Sequence, residues 1–290
     1  MNIIVGVLIF TLVLFIYIHV YYQFKTSNDR EIYTLEEPQK DRLEKIANLR
    51  QPFVFQRKEI SNFEKTLSNE HLNIRTTEYP SDDEELFLPL PFNDATALFK
   101  KESKYITENN FELPLCKHVD ELCDFLKPTL NWKTKIDFWS GSENTNTPLR
   151  FFLNFRNYLY ILEGEVNIKL IKPEADIEKT SDYDYLEFRT RTNPWTEEIG
   201  EAMEFKATKG DVIFIPAYWW NSVKYGKSSR VLLFQYITYT NALAISPHLI
   251  RHVLQRQNIK HRTLKKMKLE IPETSKKDPD EENNSKKPSQ

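Results

Sequence analysis

Glycine is scarce in this chain, with 6 among 290 residues. No Gly-rich phosphate-cradling loop stands out, and no Ser-His-Asp arrangement does either, so neither nucleotide binding of that kind nor serine-hydrolase chemistry is indicated. Cysteine is scarcer, at two residues, Cys116 and Cys123 in "CKHVDELC". On a helix they lie two turns and about 10 Å apart, too far for a disulfide, and two thiols are too few for a zinc site. They read as core thiols and suit a reducing compartment. Neither sign of charge dominates: 40 Lys and Arg against 42 Asp and Glu give a net charge of −2, which offers no global case for nucleic acid. What the chain does have is apolar and aromatic mass: 40% hydrophobic, with 19 Phe and 14 Tyr, enough for a large packed core.

The longest apolar run is Ile3–Tyr22, "IIVGVLIFTLVLFIYIHVYY", without a charged residue. As a helix it spans about 30 Å, the thickness of the hydrocarbon core. No Lys or Arg precedes it and no small-x-small cleavage site follows, which favours an uncleaved anchor over a signal peptide. Lys25, Arg30, Lys40 and Arg42 follow it, so the positive-inside rule places the large domain on the cytosolic side. The one Asn-x-Ser/Thr sequon found, at Asn283, gives no support for a glycosylated lumenal domain.

The pattern divides the chain into an anchor (1–23), a polar stalk (24–41), a β-rich domain (42–242), a basic helix (243–268) and a disordered tail (269–290). "KDRLEKIANL" predicts an amphipathic helix with Leu43, Ile46 and Leu49 on one side. "QPFVFQ" predicts a first strand and "HVDELCDFLKP" a helix ending before Pro128. Residues 60–130 are otherwise mixed, with "LPLPF" reading as loop punctuation. From residue 135 the pattern is β: "KIDFWS", two strands joined at Glu163-Gly164-Glu165, a strand pair around Gly210, and "RVLLFQYITYT". Short strands with polar turns favour a sandwich or barrel. The insertion at 174–200 reads as an ordered cover, and "ISPHLIRH" as a helix capped by Ser246 with Pro247 in its first turn.

"NLRQPFVF", "DFWSGSENTNTPLRFF", "RNYLYILEGEVNIKLIKP" and "KGDVIFIPAYWWNSV" fall in the order seen in JmjC-like (cupin-like) domains, and residues 45–240 resemble that family. "TPLR", "LNFRN", "NPW" and "AISPH" also resemble a subgroup from large DNA viruses. The resemblance implies a mainly β fold, a double-stranded β-helix of the cupin or jelly-roll type with flanking helices; the apolar run adds one N-terminal transmembrane helix. It also implies an iron site of two His and one carboxylate beside 2-oxoglutarate. Carried over by position, the first His is Arg150, the carboxylate is Phe152 and the distal His is Asn221; the Lys that pairs with 2-oxoglutarate in asparaginyl-hydroxylase-like members falls at Val166. Arg stays protonated and Phe has no lone pair, so this set does not suit iron.

Two readings of the site remain open. In one, Arg150 and Asn221, with Thr147, Phe152 and Trp220, line a pocket for a carboxylate or phosphate. In the other, Arg150 pairs with an internal acid and the barrel mouth is filled. Trp219 and Trp220 read as one core and one flanking residue, and His248 and His252 have a zinc-like spacing without a third ligand. The expected function is a membrane-anchored, non-catalytic binding or scaffolding module with no cofactor; the alternative is an Fe(II)/2-oxoglutarate oxygenase with an atypical site. Expected partners are the lipid bilayer through Ile3–Tyr22 and anionic lipid through the basic run Arg251–Lys268, with no nucleic acid. The expected location is a viral or host-cell membrane.

Overall fold

The apolar run forms one helix, α1 (Ile3–Gln23), long and apolar enough to cross a membrane; its apolar stretch is not buried against the rest of the chain, and only Gln23 at its end is. The structure, a computed structural model, describes residues 3–27, 29–36, 38–57, 67–77, 88–113, 115–175, 177, 187–190 and 192–257. The disordered tail expected at 269–290 and the basic run beyond residue 257 lie outside them, as does much of 176–186.

After α1 come β1 (Tyr33–Leu35), α2 (Lys40–Ala47), β2 (Phe53–Gln56), β3 (His71–Thr76), β4 (Leu88–Pro91), α3 (Phe92–Lys101), β5 (Tyr105–Thr107) and α4 (Cys116–Leu126). The β-rich half follows with β6 (Asn131–Gly141), β7 (Arg150–Phe152), β8 (Arg156–Glu163), β9 (Glu165–Ile171), β10 (Glu187–Arg189), β11 (Ala202–Thr208), β12 (Asp211–Pro216), β13 (Trp220–Tyr225) and β14 (Arg230–Thr238). Two short helices, α5 (Tyr239–Ala244) and α6 (Ser246–Gln257), complete the described chain. The protein is mainly β, with two sheets and flanking helices.

The larger sheet has nine strands in the order β1-β2-β12-β8-β14-β6-β5-β3-β4, and the smaller has five in the order β10-β7-β13-β9-β11. Strand alternation sends side chains to both faces of each sheet; the faces are packed over much of their area, while Ala202, Glu204, Lys206 and Thr208 leave the outer face of β11 open to solvent. Leu159, Ile161, Ile213, Val231 and Leu233 of the large sheet meet Val166, Ile168, Leu170 and Val223 of the small one in an inner core. On the outer face of the large sheet, Tyr158, Tyr160, Phe214 and Phe234 pack with Leu43, Ala95, Leu122 and Leu126 of α2, α3 and α4. On the outer face of the small sheet, Phe151, Ile171 and Trp220 pack with Ile245 and Leu249.

The joint at Gly164 and the joint at Gly210 differ from the hairpin geometry their sequences suggest. β8 belongs to the large sheet and β9 to the small one; β11 belongs to the small sheet and β12 to the large one. Each glycine, at φ 71° and 91°, turns a corner from one sheet to the other. At Gly164 a side chain would also strike the Lys227 carbonyl, 2.9 Å from the Cβ position.

Other differences have local causes. "LPLPF" is an edge strand running into a helix: β4 pairs only with β3 among described strands, and an edge tolerates Pro89 and Pro91 because no partner requires their N–H. The stretch read as a stalk is tied down. Gln51 Nε2 donates to the carbonyls of Asp29 and Glu31 at 2.9 and 2.7 Å, and β1 pairs in parallel with β2. Leu49 lies beyond the end of α2 and is 63% exposed instead of sharing the buried side of Leu43. Cys123 is half-buried, with its Sγ accepting from the Tyr236 hydroxyl at 3.6 Å.

Candidate functional site

Arg150 opens β7 and is completely buried. In register it stands opposite Asn221 of β13 on one side and Arg189 of β10 on the other. Two guanidinium side chains directly opposite each other repel, and a shared carboxylate relieves this. That carboxylate is Glu108, just past β5 on the large sheet. It receives Arg150 Nη2 at 2.5 Å and Arg75 Nε of β3 at 2.6 Å, with Arg189 Nη2 at 3.3 Å. All four side chains are at most 5% exposed. Glu108 and Arg75 come from the large sheet, Arg150 and Arg189 from the small one, so the cluster joins the two sheets across the inner core.

Burial by itself would push the Glu108 carboxyl up, but the charges of Arg150, Arg75 and Arg189 outweigh it and hold the group well below the usual carboxylate range. The Arg150 guanidinium also lies over the Trp139 ring, 4.7 Å from its centroid. Trp139 in turn donates from Nε1 to Asp137 at 2.7 Å, and the backbone N–H groups of Asn109 and Asn110 donate to the same carboxylate at 2.9 and 2.7 Å. Burial pushes Asp137 up to about 7, against these three donors, which favour the ionised form. Tyr225, on the same inner face, is fully buried, and burial together with the nearby Glu108 charge pushes its phenol far above the usual range.

The structure brings Arg150, Phe152 and Asn221 onto one inner face, but each is engaged. Phe152 lies in the inner core, its ring 6.5 Å from that of Trp139. Asn221 spends its amide N–H groups on the carbonyls of Arg150 and Trp219, at 3.0 and 3.2 Å. Thr147 splices the connection before β7 onto β13: its hydroxyl accepts from Val223 N at 3.0 Å, and its carbonyl from Ser222 Oγ at 2.7 Å. Trp220 is not with these residues. It points to the outer face of the small sheet, edge-on to Phe151 at 4.7 Å, while Trp219 faces the inner core. Val166, which the resemblance aligns with a cosubstrate lysine, is an inner-core side chain.

Iron does not fit this donor set. The aligned positions supply a cation, a phenyl ring and an amide turned to the backbone, and the nearby carboxylate of Glu108 is shared by three guanidinium groups. Among the described residues no three His, Cys, Asp or Glu side chains cluster closely enough to hold a metal. His248 sits edge-on to Phe188 at 5.6 Å; the side chain of His252 lies outside the description.

Part of the insertion covers the small sheet. Lys169 Nζ donates to the Pro194 carbonyl at 2.8 Å, and Trp195 Nε1 to Ser222 Oγ at 2.9 Å. Glu108, Arg75, Arg189 and Asp137 escaped sequence reading. A charged residue on the inward phase of a strand is the usable signal, as in "NIRT" and "DFW", but β3 is too short for alternation to fix its phase, and β6 is buried on both faces from Ile136 to Gly141, so alternation does not mark Asp137.

Compared with known proteins, the chain matches no protein-family model and no curated protein.

Proposed function

We propose that this chain is a membrane-anchored, JmjC-like (cupin-like) barrel of the double-stranded β-helix type that has lost its iron triad and serves as a non-catalytic binding or scaffolding module. The observation that carries this reading is the Arg150–Glu108 pair: at the position of the first iron ligand stands a buried guanidinium held at 2.5 Å by a carboxylate from the opposite sheet. Two packed sheets whose strands change sheet at Gly164 and Gly210 support the fold assignment. A catalytic pocket in such a barrel opens between the sheets; here that space holds an ion cluster that ties them together, which leaves the outer surfaces and loops for partners. The α1 helix supplies attachment to a bilayer, and the basic residues after it favour a cytosolic position for the domain.

The test is anaerobic reconstitution of the full chain in detergent with Fe(II) and 2-oxoglutarate to read bound iron, followed by admission of O₂ to read succinate release. The expected result is a folded protein with neither stoichiometric iron nor succinate. One iron per chain with turnover would overturn the reading in favour of an oxygenase with ligands from elsewhere in the chain.

A further inference from the structure

The foot of α1 is bonded to the β domain at three successive residues. Tyr22 donates its hydroxyl to the Asn48 carbonyl at 3.3 Å and lies under the Arg50 guanidinium, 5.5 Å from its ring centroid. Gln23 is 4% exposed and donates to Thr240 Oγ1 of α5 at 3.1 Å. Phe24 lies against Tyr218, with ring centroids 6.4 Å apart. A helix from residue 3 to 22 is about as long as the hydrocarbon core is thick, so Gln23 falls at the boundary with the headgroups. Whatever touches Gln23 shares that depth.

The surface around this foot is apolar and uncovered. Leu49, next to Asn48 and Arg50, is 63% exposed. Tyr239 is 61% exposed, and its N–H donates to the carbonyl of Leu130, itself 72% exposed. Leu243, one turn further along α5, is 51% exposed. Ile245, at the junction of α5 and α6, and Leu249 of α6 face the protein, whereas Ile250, Val253 and Leu254 of α6 are 53–60% exposed at i, i+3 and i+4, one stripe of the helix. A water-facing helix surface carries polar residues; an aliphatic stripe beside a membrane span is the pattern of an interfacial helix. The charge agrees: residues 251–268 contain seven Lys or Arg and no Asp or Glu.

Resting on the reading of α1 as an anchor, we propose that α5 and α6 lie on the membrane itself, with Leu243, Ile250, Val253 and Leu254 inserted among anionic headgroups, so that the β domain is held flat on the bilayer instead of swinging from a tether. The occupant of this face is the lipid surface, because the face is continuous with the anchor and the anchor's foot cannot leave it without breaking the Gln23 and Tyr22 contacts.

The test uses the full chain in phosphatidylcholine vesicles containing phosphatidylserine, with Cys116→Ser and Cys123→Ser to clear native thiols. Single nitroxide labels are placed through Leu12→Cys, Leu243→Cys, Leu254→Cys and Lys227→Cys, the last in the exposed turn at the far end of β14, and circular dichroism checks folding of each. Power-saturation measurement with oxygen and a nickel chelate reads depth. The expected result is a deep label at 12, labels at 243 and 254 at headgroup-to-acyl depth, and a label at 227 in water. Labels at 243 and 254 as open to nickel as 227, with 12 still deep, would overturn the docked pose while leaving the anchor standing. A label at 12 in water would overturn both. Dipolar broadening at 254 would assign the face to a second copy and overturn the lipid proposal.

Discussion

Glu108→Gln is the most informative single substitution. The amide conserves volume but removes the charge that Arg75, Arg150 and Arg189 share, at a site where none of the four side chains is more than 5% exposed. Removing one member of a buried ion pair costs about 3–5 kcal/mol, a large part of the roughly 5–15 kcal/mol that holds a domain folded. For a domain of this size each kcal/mol moves the midpoint by about 2–4 °C, so a fall of roughly 6–20 °C is expected. Thermal unfolding of the full chain in detergent, followed by near-UV circular dichroism, reads it. The control is Glu163→Gln, which breaks the 2.8 Å pair with Arg230 at a carboxylate that is 44% exposed; such a pair is worth at most about 1 kcal/mol. The linkage has a definite sign. The folded pKa of Glu108 is depressed, so its contribution is present above the unfolded value of about 4.3 and is lost as pH falls below it. The difference between wild type and Glu108→Gln should therefore be full at neutral pH and shrink under acid. Equal losses for the two substitutions, or a loss under about 1 kcal/mol for Glu108→Gln, would refute the ionic staple as a source of stability.

Two further substitutions probe the same core. Asp137→Asn puts an NH₂ where an oxygen receives N–H donors, at a cost of about 1–3 kcal/mol in urea unfolding. Because burial raises Asp137 to about 7, its protonated form favours the folded state; wild-type stability relative to Asp137→Asn should decline as pH rises from about 4 towards 7, and a flat difference would contradict that. Gly141→Ala forces a methyl to within 2.5 Å of the buried Tyr225 ring and 2.8 Å of Thr145 Oγ1, and should cost about 1–3 kcal/mol by overpacking, read as a lowered denaturation midpoint.

The positions that matter were partly legible in the amino-acid sequence. Motif positions group Arg150, Phe152 and Asn221 as one unit, and β7 and β13 do set Arg150 opposite Asn221. The same grouping includes Trp220, which lies on the other face, because a strand sends adjacent residues to opposite sides and the phase depends on where the strand begins.

Local chemistry alone determined the apolar length of α1, the amphipathic start of α2 and the strand content after residue 135, because hydropathy and alternation are properties of neighbours along the chain. Tertiary structure alone decided that Gly164 and Gly210 pass the chain between sheets, that Tyr33–Leu35 joins the large sheet, and that Glu108 meets three arginines from β3, β7 and β10. Those contacts join residues tens of positions apart, and a single sequence carries no local mark of which distant charge a buried charge will find.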